Sequence, residues 1–222
     1  MQNYSLQSEA PSIVLVGSFN PAIFHPEWLL RHALISEDDN KAAKVEIVHK
    51  QLSKFSLAWL SIDVMHDKLI ARTNDVSSSL PMRDLVVSAL KILDHTPISK
   101  MGINLDLSYK IDEEEIWHRI GDNLVPKKYW NELPERVGMK AVTVQSPRPD
   151  DLNGYVQITL TPIKSDFTGV HFSVNNHVEL SCIKDGNEVK LSSADILYNN
   201  WEDVLKYSKS VCEETLKKAI EI

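Results

Sequence analysis

The chain has 222 residues, long for one ordinary domain and short for two, with 24 Lys and Arg against 31 Asp and Glu and a formal charge of −7. Hydrophobic residues make up 43% and charged residues 25%, a balance that excludes a disordered chain, a collagen-like fibre and a disulfide-dependent miniprotein. The two cysteines, Cys182 and Cys212, are too few for a four-thiolate zinc site; a single disulfide is open to them, and they read first as two reduced, part-buried thiols.

The N-terminus lacks a basic n-region, and the apolar run Ile13 to Val16 is too short for a signal peptide or a span. A cytoplasmic protein without membrane contact is therefore expected. The negative balance disfavours nucleic acid, because neutralising phosphates supplies most non-specific affinity. Two basic stretches keep that reading open: Lys41, Lys44, Lys50 and Lys54 with His49, and Lys127, Lys128, Arg136, Lys140 and Arg148.

After a polar tail of about ten residues, Ser12 to Phe19 reads as a short buried strand. Pro26 opens a helix carrying Trp28, Leu29, His32 and Ala33, and the polar stretch Ser36 to Lys44 reads as a loop. Three extended runs follow. In the middle one Ala58, Leu60, Ile62 and Val64 face one way, and Leu57, Trp59, Ser61 and Asp63 the other. His66-Asp67 turns into Lys68 to Thr73, and a helix from Pro81 buries Met82, Leu85, Val86, Ala89, Leu90 and Leu93.

The clearest strand comes next, with Met101, Ile103, Leu105, Leu107, Tyr109 and Ile111 alternating against Gly102, Asn104, Asp106, Ser108 and Lys110. Asp112 and Glu115 have capping-box spacing before a helix that Gly121 would stop, and a short helix is expected over Tyr129 to Leu133. Three more strands are Lys140 to Gln145, Tyr155 to Thr161 and Val170 to Val178, with turns at Asn153-Gly154 and Asp185-Gly186. A long helix over Ile196 to Ala219 closes the chain, with Asn200 as its candidate N-cap.

Each half thus runs strand, Trp-bearing helix, meandering strands, amphipathic helix. The expected fold is α+β: a largely antiparallel sheet with helices packed on one face, built from two pseudo-repeats of β-α-βββ-α over 1–96 and 97–222. Without a Pro/Gly/Ser-rich linker between them, the halves should form one continuous unit. Three segments, LSIDVMHDKLIART (Leu60 to Thr73), GINLDLSYKI (Gly102 to Ile111) and NNWEDVLKYSKSVCEETL (Asn199 to Leu216), resemble a sporadically distributed, uncharacterised family of bacterial proteins. The resemblance implies a bacterial cytoplasmic protein of an accessory or defence-type gene set, and it transfers no catalytic residues.

No glycine-rich phosphate loop or G-x-S-x-G elbow is present, so no cofactor is expected. His171 and His177, six residues apart on one strand face, would lie about 20 Å apart, too far to share an ion. His95 after Asp94 suits a helix C-terminus, and His118 beside Trp117 has carboxylates nearby that would be needed to orient a catalytic imidazole. The residues singled out as an interaction surface are Trp59, Asn104, Asp106, His171, Ser173 and Asn175: two polar strand rows and one aromatic anchor. The reading that follows is a non-catalytic protein-interaction or assembly module, binding a protein partner or a second copy of itself as a homo-oligomer. The alternatives are a hydrolase or nuclease with a His/carboxylate site, or a nucleic-acid-associated component.

Overall fold

In the computed structural model, which describes residues 3–133, 137–184 and 187–221, the first half comprises β1 (Tyr4–Gly17), α1 (Pro26–Arg31), α2 (Glu37–Ala42), β2 (Lys44–Val48), β3 (Leu52–Ser56), β4 (Ser61–Met65), β5 (Lys68–Arg72) and α3 (Ser79–Ile92). The second half comprises β6 (Ile98–Ile111), α4 (Glu114–Leu124), β7 (Val142–Pro147), β8 (Gly154–Lys164), β9 (Thr168–Glu179), β10 (Ser181–Lys184), β11 (Asn187–Lys190) and α5 (Ser193–Glu221). Nine strands form one antiparallel sheet in the order β2-β3-β4-β5-β1-β6-β9-β8-β7, and β10 and β11 make a separate hairpin. The fold is α+β, with the helices on one face.

The long central pair β1 and β6 joins the halves, with Ile13 opposite Ile103 and Val14 opposite Gly102. Period-two alternation then divides the sheet into a covered and an open face. Across the seven inner strands one register row runs Phe55, Ile62, Ala71, Ile13, Ile103, Asn176, Val156, all buried beneath the helices. The next row, one residue along each strand, is polar throughout and faces away from the helices.

Two apolar clusters fill the covered side. One gathers Ile13, Leu15, Phe55, Ile62, Met82, Leu85, Met101 and Trp201, the other Leu105, Leu107, Tyr109, Phe172, Cys212 and Leu216. Helix α5, about 43 Å long at 1.5 Å per residue, contributes its first turns to one cluster and its last turns to the other, so the two cores cannot separate without breaking it. Trp201 Nε1 donates to Ser79 Oγ at 3.1 Å, tying α5 to α3. Burial pushes the Cys212 thiol up to about 12 and leaves it protonated at neutral pH.

Several elements differ from expectation. The polar tail is the first half of β1, which extends from Tyr4 because β6 offers it a partner along its whole length. The stretch expected as a loop contains α2, which buries nothing and so shows no apolar stripe. Its start is a capping box: Asp39 N donates to Ser36 Oγ at 3.0 Å and Ser36 N to Asp39 Oδ2 at 3.2 Å. Leu57 N donates to Leu60 O at 2.7 Å, so residues 57–60 are a turn and β4 begins only at Ser61.

Asp112 and Glu115 form no capping box, since Glu113 is the N-cap without a side-chain bond, and α4 passes through Gly121 to Leu124. The short helix expected over 129–133 is a single 3-10 turn over Lys127–Tyr129. Asn200 lies inside α5, its Nδ2 donating to Ile196 O at 3.0 Å, while Ser192 Oγ accepts from Asp195 N at the true start. The first half has four strands after its helices rather than three, and the second adds the β10–β11 hairpin. The expected turn at Asp185-Gly186 and the expected basic Arg136 fall outside the described residues.

Candidate functional site on the open sheet face

Strand pairing brings the two predicted polar rows together. On neighbouring β6 and β9, Asn104 lies directly opposite Asn175, Asp106 opposite Ser173, and Ser108 opposite His171. The register continues outward, placing Gln157 opposite Asn175 and Gln145 opposite Gln157. Four carboxamides, Asn104, Asn175, Gln157 and Gln145, therefore stand side by side on four adjacent strands, spanning about 15 Å at the usual strand spacing. Beside them runs a second line, Asp106, Ser173, Thr159 and Thr143, in which Thr143 and Thr159 hydroxyls lie 3.0 Å apart. Towards the first half the amide row meets Ser12, Arg72, Ser61 and Ser56.

Asn104 sits at the centre of this surface and depends on Gly102. A Cβ on Gly102 would stand 2.9 Å from Asn104 Oδ1 and 3.4 Å from Asn175 Oδ1, so the missing side chain makes the space that the amides fill. Asn104 Oδ1 is buried without a hydrogen-bond partner among the described residues, an arrangement that costs about 1–3 kcal/mol for an ordinary polar atom. A sheet that keeps such an atom at its midpoint gives up stability there.

Two histidines flank the amides. His171 Nδ1 is 3.0 Å from Ser108 Oγ, and its Nε2 is 3.7 Å from Asp106 Oδ1, beyond hydrogen-bond distance. His177 stacks on Tyr155 with ring centroids 4.6 Å apart, and its Nε2 is 2.9 Å from Glu179 Oε1. That contact, followed by Lys100 at 3.3 Å, holds the Glu179 carboxyl below its ordinary value. The whole assembly is a flat field of amides, hydroxyls and imidazoles that both donates and accepts hydrogen bonds.

The remaining predicted residues lie elsewhere. Trp59 is in the β3–β4 turn, where its Nε1 donates to Asp39 Oδ1 at 3.1 Å and its ring packs on the first core cluster. The Ser36 hydroxyl and then this indole hold the Asp39 carboxyl below the usual range. His118 lies on the outer side of α4, 3.8 Å from Glu114, whose carboxyl is held low chiefly by Lys164 at 2.8 Å. His95 is fully exposed beside Asp94. In the first basic stretch, Lys54 pairs with Glu46 at 2.8 Å and Lys41 with Glu37 at 3.3 Å.

The residues missed by the sequence reading are Gln157, Thr159, Gln145 and Thr143. Their signal is present in the polar positions alternating with Val156, Ile158 and Leu160, and with Val142 and Val144. A cleft of about 770 Å³ lies away from this face, between the end of β1, the α3–β6 connection and the start of α5. Among the described residues no three His, Cys, Asp or Glu side chains converge as metal ligands. No helix among them is long and apolar enough to cross a membrane. No protein-family model matches this sequence, and no curated protein matches it.

Proposed function

We infer that this chain is a non-catalytic protein-interaction module whose docking surface is the open face of β6, β9, β8 and β7. The observation that carries this reading is the contiguous amide row, Asn104, Asn175, Gln157 and Gln145, on a sheet face that no helix covers. Amides offer a donor and an acceptor each, so such a row suits a protein partner presenting backbone or side-chain amides of its own. A setting in a bacterial cytoplasmic system of the accessory or defence type belongs to the same proposal.

Capture experiments with purified bait test it. Ser173→Arg and Asn175→Arg place bulk and charge on the open face, whereas Lys217→Glu alters the far side of α5. The reading expects a partner retained by the wild type and by Lys217→Glu but lost by both open-face variants. A partner retained by all three contradicts it.

A hydrolytic alternative has one observation in its favour, the Ser108–His171–Asp106 grouping. It requires Ser108→Ala to abolish an activity that the wild type shows on ester or phosphodiester probes.

A further inference from the structure

The two margins of the nine-stranded sheet are built differently. At one margin β2 carries Lys44 and Glu46, and its pairing with β3 shifts register between Val45 and Ile47. Charges and a bulge are the usual devices by which an edge strand is kept from pairing with another chain. At the other margin β7 (VTVQSP) pairs with β8 without a shift, from Val142 opposite Leu160 to Pro147 opposite Tyr155. None of the chain's 24 Lys and Arg or 31 Asp and Glu lies on β7, and its residues from Thr143 to Pro147 are exposed. Val144, on the helix-side face, leaves 58% of its surface in water. The single guard is Pro147 at the last position.

We propose that β7 pairs antiparallel with β7 of a second copy, about a two-fold axis normal to the sheet. Two arguments select a copy of this chain as the occupant. The first is charge: two molecules of −7 repel least where the contacting segment adds no like charges of its own, and β7 is such a segment. The second is symmetry. A two-fold normal to the sheet keeps each face on its own side, and the alternation of β7 is its own complement under that operation. Centred on Val144, it sets Val144 against Val144 of the partner subunit and Val142 against the partner's Ser146 on the helix side, and Thr143 against the partner's Gln145 on the open side. The register shift in β2 breaks this self-match at the other margin. The amide row ends at Gln145 on β7, so the pairing would set two such rows on one continuous open face.

A five-residue strand pair is small beside the roughly 800 Å² per partner of a standard interface, so the dimer should be weak, with a dissociation constant on the order of 10–100 μM. Sedimentation equilibrium tests this. The wild type is expected to move from monomer to dimer between about 5 and about 500 μM, bracketing that constant. Val144→Lys, at an exposed position that the monomer tolerates, should stay monomeric throughout, and Val45→Lys on β2 should dimerise like the wild type. Three results overturn the proposal: a wild type monomeric over the whole range, a dimer that survives Val144→Lys, or association continuing past the dimer, which would mean head-to-tail pairing. Capture of a different protein by the open face is scored separately with Asn175→Arg, so either idea can fail while the other stands.

Discussion

Asn176 Nδ2 lies 2.9 Å from Ser208 Oγ and 3.0 Å from Ile103 O, entirely within the core. Ser208 passes its own hydrogen to Val204 O at 2.7 Å, so a polar chain links β6, β9 and α5 at the level where the two apolar clusters meet. A buried amide on the covered face is costly unless paired, and here both N–H groups have acceptors. Asn176→Ala should destabilise by about 2 kcal/mol and Ser208→Ala by about 1 kcal/mol, read from urea unfolding. Because the two share one bond, the double variant should lose less than the sum of the singles. Strict additivity would mean that the bond carries no coupling.

A second prediction concerns Arg148 and Asp150. Burial pushes the Asp150 carboxyl up, but Arg148, bonded to it at 2.6 and 2.8 Å, outweighs this and leaves it below the ordinary aspartate value. A depressed folded-state value means the stabilisation is present above the unfolded value, about pH 4, and is lost as pH falls through the lower folded one. Asp150→Asn should therefore cost about 1–2 kcal/mol at neutral pH, a figure reduced because a third of the Asp150 side chain is exposed while Arg148 is buried. The gap between variant and wild type should close as acid unfolding is approached. A gap that stays constant from pH 7 to about pH 2.5 would show that the ion pair is not its origin.

Backbone geometry supplies a third. Gly154 opens β8 with φ of +150°, and a Cβ there would stand 2.0 Å from His177 O, a backbone atom with no freedom to move aside. Gly154→Ala should cost about 2 kcal/mol or more, and Gly138→Ala, where no atom of the described residues lies within 4 Å of the added carbon, should change stability by less than about 0.5 kcal/mol. Equal melting temperatures for the two variants would contradict the assignment of strain to Gly154.

The parts of this fold legible from sequence are those where the alternation is strict. Met101 to Ile111 declares both its faces, and Asn104, Asp106 and Ser108 were separable from the core for that reason. The partner of that strand was not legible, because pairing is decided by which buried faces meet across the whole sheet. His171, Ser173 and Asn175 could be placed on one row, but their position opposite Ser108, Asp106 and Asn104 emerges only from the register of β6 and β9. Elements that bury little of themselves were misread: α2, whose residues are all exposed or half-exposed, and the Tyr4 to Ala10 portion of β1, which is mostly polar. Trp59 was misplaced because apolar alternation over 58–64 continued through what is a turn.

The docking role of the open face is tested most directly by the side-chain amide NMR signals of Asn104, Asn175, Gln157 and Gln145. They report on the row itself, independently of the backbone ladder beneath. On titration with a captured partner, these four pairs of resonances should shift first and together, while the amides of Asn123 and Asn200 on the helix side stay in place. Shifts confined to α3 and α5, with the four amides unmoved at saturation, would contradict the account.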